Sequence, residues 1–226
     1  MRILLFQSSK GVLPTMSDQA GEKGKEYLED LGVEVIIGQR IVDFDGSYAY
    51  SSNGDKIRTN NVVWAAGIKT NKIEGLEATS YSKSGRLIVD SFNQIKGYDN
   101  IFAIGDLAEM INDKYPYGHP QVAQPAIQQG KLLGKNLIRL IEGKSLKKFK
   151  YKDKGSMATV GRNKAVVDLK HYKFAGFFAW FVWMFIHLMA LVGFRNRVVV
   201  FFNWCYNYIN FDKAARLIIR PFNKLN

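Results

Sequence analysis

The spacing of apolar and polar residues divides this chain into three stretches that follow different rules. In the first, Ile3 to Phe6 of RILLF form a short apolar run suited to a strand inside a parallel sheet. MSDQAGEKGKEYLEDLG, residues 16–32, sets Tyr27, Leu28 and Leu31 between a cap-like Ser17 and Gly32, which predicts a surface helix with a glycine stop. Residues 33–67 alternate apolar runs with Gly, Asn and Asp turns. They predict a sheet with an antiparallel ribbon, closed by the strand NVVWAAG, residues 61–67.

The second stretch runs from Gly67 to Gly143. It holds GRLIVDSFNQI, the strand NIFAIGD (residues 100–106), and a loop rich in Pro, Tyr and Gly, DKYPYGHP. A helix is expected from roughly Val122 to Glu142, with Ala126, Leu133, Leu137 and Leu140 on one face. GKSLKKFKYKDKG reads as a basic linker and a boundary. The third stretch starts with a hairpin, SMATVGRNKAVVDLKHYKF, turning near Gly161 to Lys164. It ends in FAGFFAWFVWMFIHLMALVGF, 21 residues without a charge, then RNR, then VVVFFNWCYNYINF.

Composition narrows the class. With 226 residues, 47% of them apolar, the chain can bury one good core or two small ones, and a wholly disordered protein is excluded. The net charge of +12 calls for an acidic counterpart: nucleic acid, anionic lipid or a charged cofactor. The single cysteine, Cys205, rules out an intrachain disulfide, a CxxC pair and a cysteine zinc site; His119, His171 and His187 lack metal-ligand spacing. The N-terminus has too short an apolar run for a secretory signal, so the expected place is the cytoplasm or a cytoplasmic membrane face.

Candidate chemistry centres on IFAIGDLAEM, residues 101–110. Gly105 lets backbone approach a ligand, and Asp106 at the end of an apolar strand suits ribose or polyol hydroxyls. The same residues also suit an ordinary strand and turn. The helix that follows would aim its N-terminal N–H groups at negative charge, such as that of a reduced flavin. Gln124 and Gln128, four apart, share one face of it and offer amides beside a ligand, whereas Gln129 reads as a polar residue facing solvent. A flavin site normally also has a GxGxxG turn, and no two glycines here are spaced as GxG.

VVWAAGIKTN, NIFAIGDLA, AQPAIQQG, GSMATVGRNKAV and AWFVWMFIHLMALVGFRNR occur in this order. Together they resemble the C-terminal portion of a type II NADH dehydrogenase, a non-proton-pumping, FAD-dependent NADH:quinone oxidoreductase. The resemblance implies an α/β fold: part of a two-dinucleotide-binding-domain flavoprotein, with a C-terminal amphipathic helical region that binds membrane. It further implies that both glycine fingerprints lie upstream of Met1. The expected parts are residues 1–65 from the NAD(P)H-binding domain, 66–145 as the second segment of the FAD domain, and 146–226 for membrane association.

Carried over residue by residue, the resemblance assigns Asp106 to the FAD ribityl chain, with Gly105, Leu107 and Ala108 supplying backbone around the flavin. Ala65, Ala66 and Gly67 fall where the chain crosses back beside the nicotinamide and flavin rings. Ala123, Gln124 and Gln128 match the quinone-site helix, and Lys154 the family lysine near the flavin, although a linker lysine without a site role fits as well. Gln7 stands where the family usually has a Glu for the adenosine ribose; its neutrality removes repulsion against a 2′-phosphate and admits NADPH beside NADH. A sulfide:quinone oxidoreductase shares the architecture but needs redox cysteines, and Cys205 stands alone.

The tail decides the partner. Trp180, Trp183 and Trp204 favour a headgroup interface, Asn203, Asn207 and Asn210 form a polar stripe, and His187 interrupts the first apolar run. These features favour two amphipathic helices lying in one leaflet over a transmembrane hairpin. The lysines of residues 143–155, with Arg195, Arg197, Arg216 and Arg220, bracket these helices and point to anionic lipid rather than nucleic acid. The expected protein is therefore a peripheral enzyme of the cytoplasmic membrane face, a homodimer, passing electrons from NADH through FAD to quinone. The alternative is a non-catalytic membrane-binding or dimerisation fragment.

Overall fold

The computed structural model describes residues 2–210; Arg216 and Arg220 lie outside the described residues. In chain order the elements are β1 (Ile3–Gln7), α1 (Asp18–Asp30), β2 (Val33–Ile37), β3 (Ile41–Phe44), β4 (Tyr48–Ser51), β5 (Lys56–Arg58), β6 (Leu87–Ile88) and β7 (Ala108–Glu109). Then follow α2 (Ala123–Ile141), β8 (Ser156–Thr159), β9 (Ala165–Asp168), β10 (Lys173–Gly176), α3 (Phe177–Ala190) and α4 (Phe194–Asn210). Contacts group them into two units. One holds the residues up to Asp43, Tyr50–Ile57 and those from Gly155 onward; the other holds Phe44–Ala49 and Arg58–Lys154.

In the first unit β1 and β2 pair in parallel, from Ile3 opposite Val33 to Gln7 opposite Ile37, with α1 between them in sequence. Helix α1 begins after Ser17 and stops at Gly32, which adopts φ +78° and donates its N–H to the Glu29 carbonyl. The expected hairpin forms, with Thr159 opposite Ala165, and β10 extends it to a three-stranded sheet centred on β9. The two-residue period of β9 sorts its side chains. Val166 packs with Ala20, Tyr27 and Val160, while Ala165 and Val167 pack with Ala179 of α3. The uncharged run of the tail folds as a helix of 14 residues, about 21 Å long, and a turn at Gly193 (φ +87°) separates it from α4. Among the described residues no helix is long and apolar enough to cross a membrane.

In the second unit Leu87, Val89, Ile95, Ala103, Ala108, Met110 and Phe149 form the core. Three sequence expectations need correction. Residues 61–67 are not a strand: no described strand pairs with them, and Val63 and Trp64 are 91% and 64% exposed. Residues 100–106 are extended but make one bridge, Phe102 to Gln94, before a 3₁₀ turn at Gly105–Leu107. An apolar run becomes a strand only when a neighbour takes up its backbone groups. The third concerns residues 143–155, which are no free linker. Phe149 enters the core and donates its N–H to the Ser91 carbonyl, and the segment lies as a strap along α2.

Polar contacts tie distant parts of the first unit, among them Lys164 Nζ with Asp30 Oδ2 at 2.7 Å and one at the start of α1. The Ser17 N–H donates to Asp168 Oδ2 at 2.6 Å, with Lys173 3.6 Å from Oδ1. Burial pushes the Asp168 carboxyl up, but the Ser17 N–H and Lys173 outweigh it and hold the group below its ordinary value. A lowered folded pKa gives stability that is present above the unfolded value and lost as pH falls through the folded one. Asp168→Asn is expected to lower the urea midpoint at pH 7, and the deficit should be smaller at pH 3, below the ordinary carboxylate value. An equal deficit at both pH values would contradict this role.

Candidate functional site

The turn Ile104-Gly105-Asp106-Leu107 is fixed by two glutamines. Gly105 has φ +67°, and a Cβ there would sit 3.1 Å from Ala126 Cβ, so the turn and the first turn of α2 approach closely only with glycine. Gly105 N donates to Gln129 Oε1 at 2.7 Å, and Gln121 Nε2 donates to the Asp106 carbonyl at 3.0 Å. Gln129 is 1% exposed, so its reading as a surface residue is corrected: it buries an amide to hold the glycine. The Asp106 carboxylate, by contrast, is half-buried and makes no hydrogen bond or ion pair with the described residues. Val122, the residue before α2, has no polar side chain to cap the helix start.

Gln124 and Gln128 both reach the strap. Gln128 Nε2 donates to the Lys152 carbonyl at 2.9 Å, and its Oε1 accepts from Lys152 N at 3.0 Å. Gln124 Oε1 accepts from Lys154 N at 3.1 Å and lies 3.5 Å from the Tyr151 hydroxyl. Gln124, Gln128 and Lys154 are thus brought together, with the Lys154 side chain exposed. Burial first, then Asp153 and Tyr115, pushes the Tyr151 phenol up to about 12, so it stays protonated at neutral pH. Ala65, Ala66 and Gly67 are exposed, and nothing lies within 4 Å of a Cβ at Gly67 (φ +101°). Leu107 is half-buried and Ala108 buried on the core side of the turn; Ala123 opens α2 and is exposed.

A buried polar cluster supports the loop that enters α2. Arg86 Nε is 3.4 Å from Glu109 Oε2, which also accepts from Ser82 Oγ at 2.8 Å and Ser84 Oγ at 2.6 Å. Arg86 Nη1 donates to the His119 carbonyl at 3.1 Å. The His119 ring packs on Tyr115, Phe149 and Tyr151, and burial, then Arg86, pushes its pKa down. Sequence spacing gave no role to Arg86, Glu109 or His119, although a Gly-His-Pro before a helix is a signal of a shaped loop. In the first unit, Gln7 lines a cavity of about 460 Å³ together with Leu5, Val12, Leu13, Leu28 and Val160. Among the described residues no cluster of three or more His, Cys, Asp or Glu could hold a metal ion.

Comparison with known proteins gives these parts a context. The pyridine nucleotide-disulphide oxidoreductase family matches residues 1–130. The chain belongs to that family. The NDH2 C-terminal domain matches residues 154–210. The type II NADH:quinone oxidoreductase NdhA of Mycobacterium tuberculosis is 34% identical over 221 residues, covering 92% of this chain and 46% of that protein. The type II NADH:quinone oxidoreductase of Staphylococcus aureus is 33% identical over 171 residues, covering 74% of this chain and 42% of that protein. This family member is therefore a homologue of the type II enzymes that spans about half the length of the curated relatives it matches. The structure of NDH2 from Plasmodium falciparum in complex with NADH shares the fold, with a TM-score of 0.81 at 18% identity, over 92% of this chain and 58% of that one.

The Gln129 amide gives a direct check of how the Gly-Asp turn is held. Gln129→Leu keeps the volume but leaves Gly105 N–H without its acceptor. It is expected to lower unfolding free energy by about 1–3 kcal/mol in urea titrations, the cost of a buried unsatisfied donor. A change below about 0.5 kcal/mol would show that the turn does not depend on this bond.

Proposed function

We propose that this chain forms the flavin-ring and quinone side of an NADH:quinone oxidoreductase. The observation that carries the reading is the Asp106 carboxylate, left unpartnered on a turn that Gln121 and Gln129 hold at the start of α2. A positioned acceptor beside uncapped helix N–H groups fits the hydroxyl chain and the electronegative ring edge of a flavin. When bound, FAD supplies the two-electron chemistry between nicotinamide and quinone. Asp106 accepts hydrogen bonds from the ribityl hydroxyls, and Gly105, Leu107 and Ala108 present backbone beside them. Ala65, Ala66 and Gly67 leave room for two rings to stack in contact, as hydride transfer requires.

On the quinone side, Ala123 and Gln124 border the entry and Gln128 sets the position of the strap. Both polar ends of the Gln128 amide are committed to Lys152, so its part is to hold Lys154 near the ring rather than to bind quinone alone. The Lys154 ammonium favours negative charge on a reduced ring. Helices α3 and α4 supply the membrane contact, because Phe177, Phe181, Phe185, Phe194, Phe201 and Phe202 are all exposed. Arg195 and Arg197 beside them attract anionic headgroups, at about 1 kcal/mol per well-placed cation. The absence of any GxG spacing favours a second reading, a membrane-binding fragment without catalysis.

Two measurements on the purified chain separate the readings. Co-sedimentation with vesicles containing anionic lipid should be strong, should weaken with salt, and should be lost in Phe181→Asp/Phe185→Asp. FAD titration should then quench flavin fluorescence saturably, with Asp106→Ala weakening binding about tenfold or more, the loss of a charge-assisted hydrogen bond. Vesicle binding without flavin binding would select the non-catalytic fragment. No vesicle binding at all would overturn the membrane role.

A further inference from the structure

The loop that leads into α2 is anchored by a residue to which the flavin and quinone chemistry gives no part. From Ile111 to Gln124 every residue is exposed or half-buried except His119, which is 6% exposed. Its ring lies against Tyr115 of the same loop and against Phe149 and Tyr151 of the strap, with ring centres 4.7, 5.3 and 5.5 Å away. The His119 carbonyl accepts from Arg86 Nη1, and the Tyr117 carbonyl lies 3.5 Å from Nη2. Two residues on, Gln121 Nε2 reaches the Asp106 carbonyl. The seat of one ring therefore holds the segment that runs from the core to the Gly-Asp turn.

That seat suits an apolar ring better than an imidazole. His119 Nδ1 is buried and makes no hydrogen bond with the described residues, a cost that phenylalanine at this place would avoid. The groups around the ring do not favour a proton on it. Arg86 is itself a cation, and Glu109, the carboxylate of the cluster, is shared by Arg86, Ser82 and Ser84. Tyr115 and Tyr151 present aromatic rings, with Lys114 Nζ 5.3 Å from the centre of the first, and Asp153 on the strap is exposed. Burial, then Arg86, accordingly pushes the His119 pKa down.

We infer that His119 is a pH-operated anchor: a proton on its ring unseats the loop from Ile111 to Gln121 and frees the Asp106 carbonyl from Gln121. In the seated loop the imidazole resists protonation. In the released loop it meets water and takes a proton at its ordinary value of about 6.5. The released form therefore gains on the seated form as pH falls below that value, by up to about tenfold per pH unit, and the anchor is fully set above it. The release stands on the loop alone; that it loosens a cofactor site rests on the flavin reading of Asp106.

Amide hydrogen exchange on the full chain tests this without flavin, quinone or lipid. Within the loop the N–H groups of Tyr115 and Gly118 bond the carbonyls of Asn112 and Tyr115, and in the core of the same unit the Ile95 N–H bonds the Ile101 carbonyl. Between about pH 7.5 and 5.5, after correction for intrinsic exchange rates, the Tyr115 and Gly118 amides should lose about tenfold in protection while Ile95 keeps its own. His119→Phe keeps a ring in the seat but cannot take a proton, so its loop should be equally protected at both pH values. The His119 ring, followed by NMR in the unsubstituted chain, should protonate in step with the loss of protection, and this titration decides alone if the variant does not fold. A loss that persists in His119→Phe, or an equal loss at Ile95, overturns the inference, as does a ring that protonates while the loop stays protected. A chain that shows the release yet binds no FAD supports the anchor and overturns the flavin reading of Asp106.

Discussion

One helix face holds the second unit together through side-chain amides bonded to backbone. Gln124, Gln128 and Asn136 of α2 bond the backbone of Lys154, Lys152 and Lys147, the last through a reciprocal pair at 2.8 and 2.9 Å. Leu132, midway along the same row, packs on the core that Phe149 enters. A row of every fourth residue winds slowly round a helix, and the strap follows it. Extended backbone with no sheet beside it must satisfy its polar groups somehow, and an Asn or Gln amide, with one donor end and one acceptor end, can replace a neighbouring strand. The Gly-Asp turn is held in the same way by Gln129 of α2 and by Gln121, which lies just before the helix. Turn, helix and strap therefore shift together or not at all.

The Arg86 and Glu109 pair shows the second device. Burying two charges costs several kcal/mol of desolvation, which their attraction alone does not repay. Here Ser82 and Ser84 donate to Glu109 Oε2, and Arg86 donates to the carbonyls of His119 and Tyr117, while Arg86 Nε itself makes no hydrogen bond with the described residues. Gly118, at φ +76°, sits so close to Arg86 that a Cβ would overlap the guanidinium. A neutral His119 among aromatic rings suits this arrangement, since a second cation beside Arg86 would undo it. The cluster fixes the loop that feeds into α2 and thereby the direction from which the helix start meets the Gly-Asp turn.

Elements whose signal is local were legible in the sequence. Helix α1 begins after Ser17, though the Ser17 side chain makes no cap hydrogen bond, and stops before Gly32; the limits of α2 followed from its apolar face, and the hairpin from the turn at Gly161 to Lys164. The Gly-Asp turn and the face shared by Gln124 and Gln128 were legible for the same reason. What escaped is non-local. Gln129 reads as a solvent-facing residue because helical position alone does not say that Gly105 N–H lies opposite it. The strap read as a linker because six lysines outweigh one phenylalanine in composition, while lysine side chains reach water from a segment whose backbone is held. Arg86 and Glu109 are 23 residues apart, and nothing local pairs them.

The two missing strands teach the converse. NVVWAAG and NIFAIGD have the apolar content of interior parallel strands, yet residues 61–67 pair with no described strand and Phe102 makes only one bridge. Strand content measures fitness for a half-buried pleated surface, and the surface has to be supplied by neighbours. The fold is nonetheless shared with NDH2 of Plasmodium falciparum over 92% of this chain. The path of the chain through the second unit must then be set by contacts other than strand pairing. Asn93 supplies one, bonding the Ala103 carbonyl and accepting Ala103 N–H on its own carbonyl, while the Gly105 bond to Gln129 supplies the next. Polar anchors at residues 103 and 105 thus place Asp106 without a completed sheet, and the carboxylate reaches its position through the helix rather than through the strand before it.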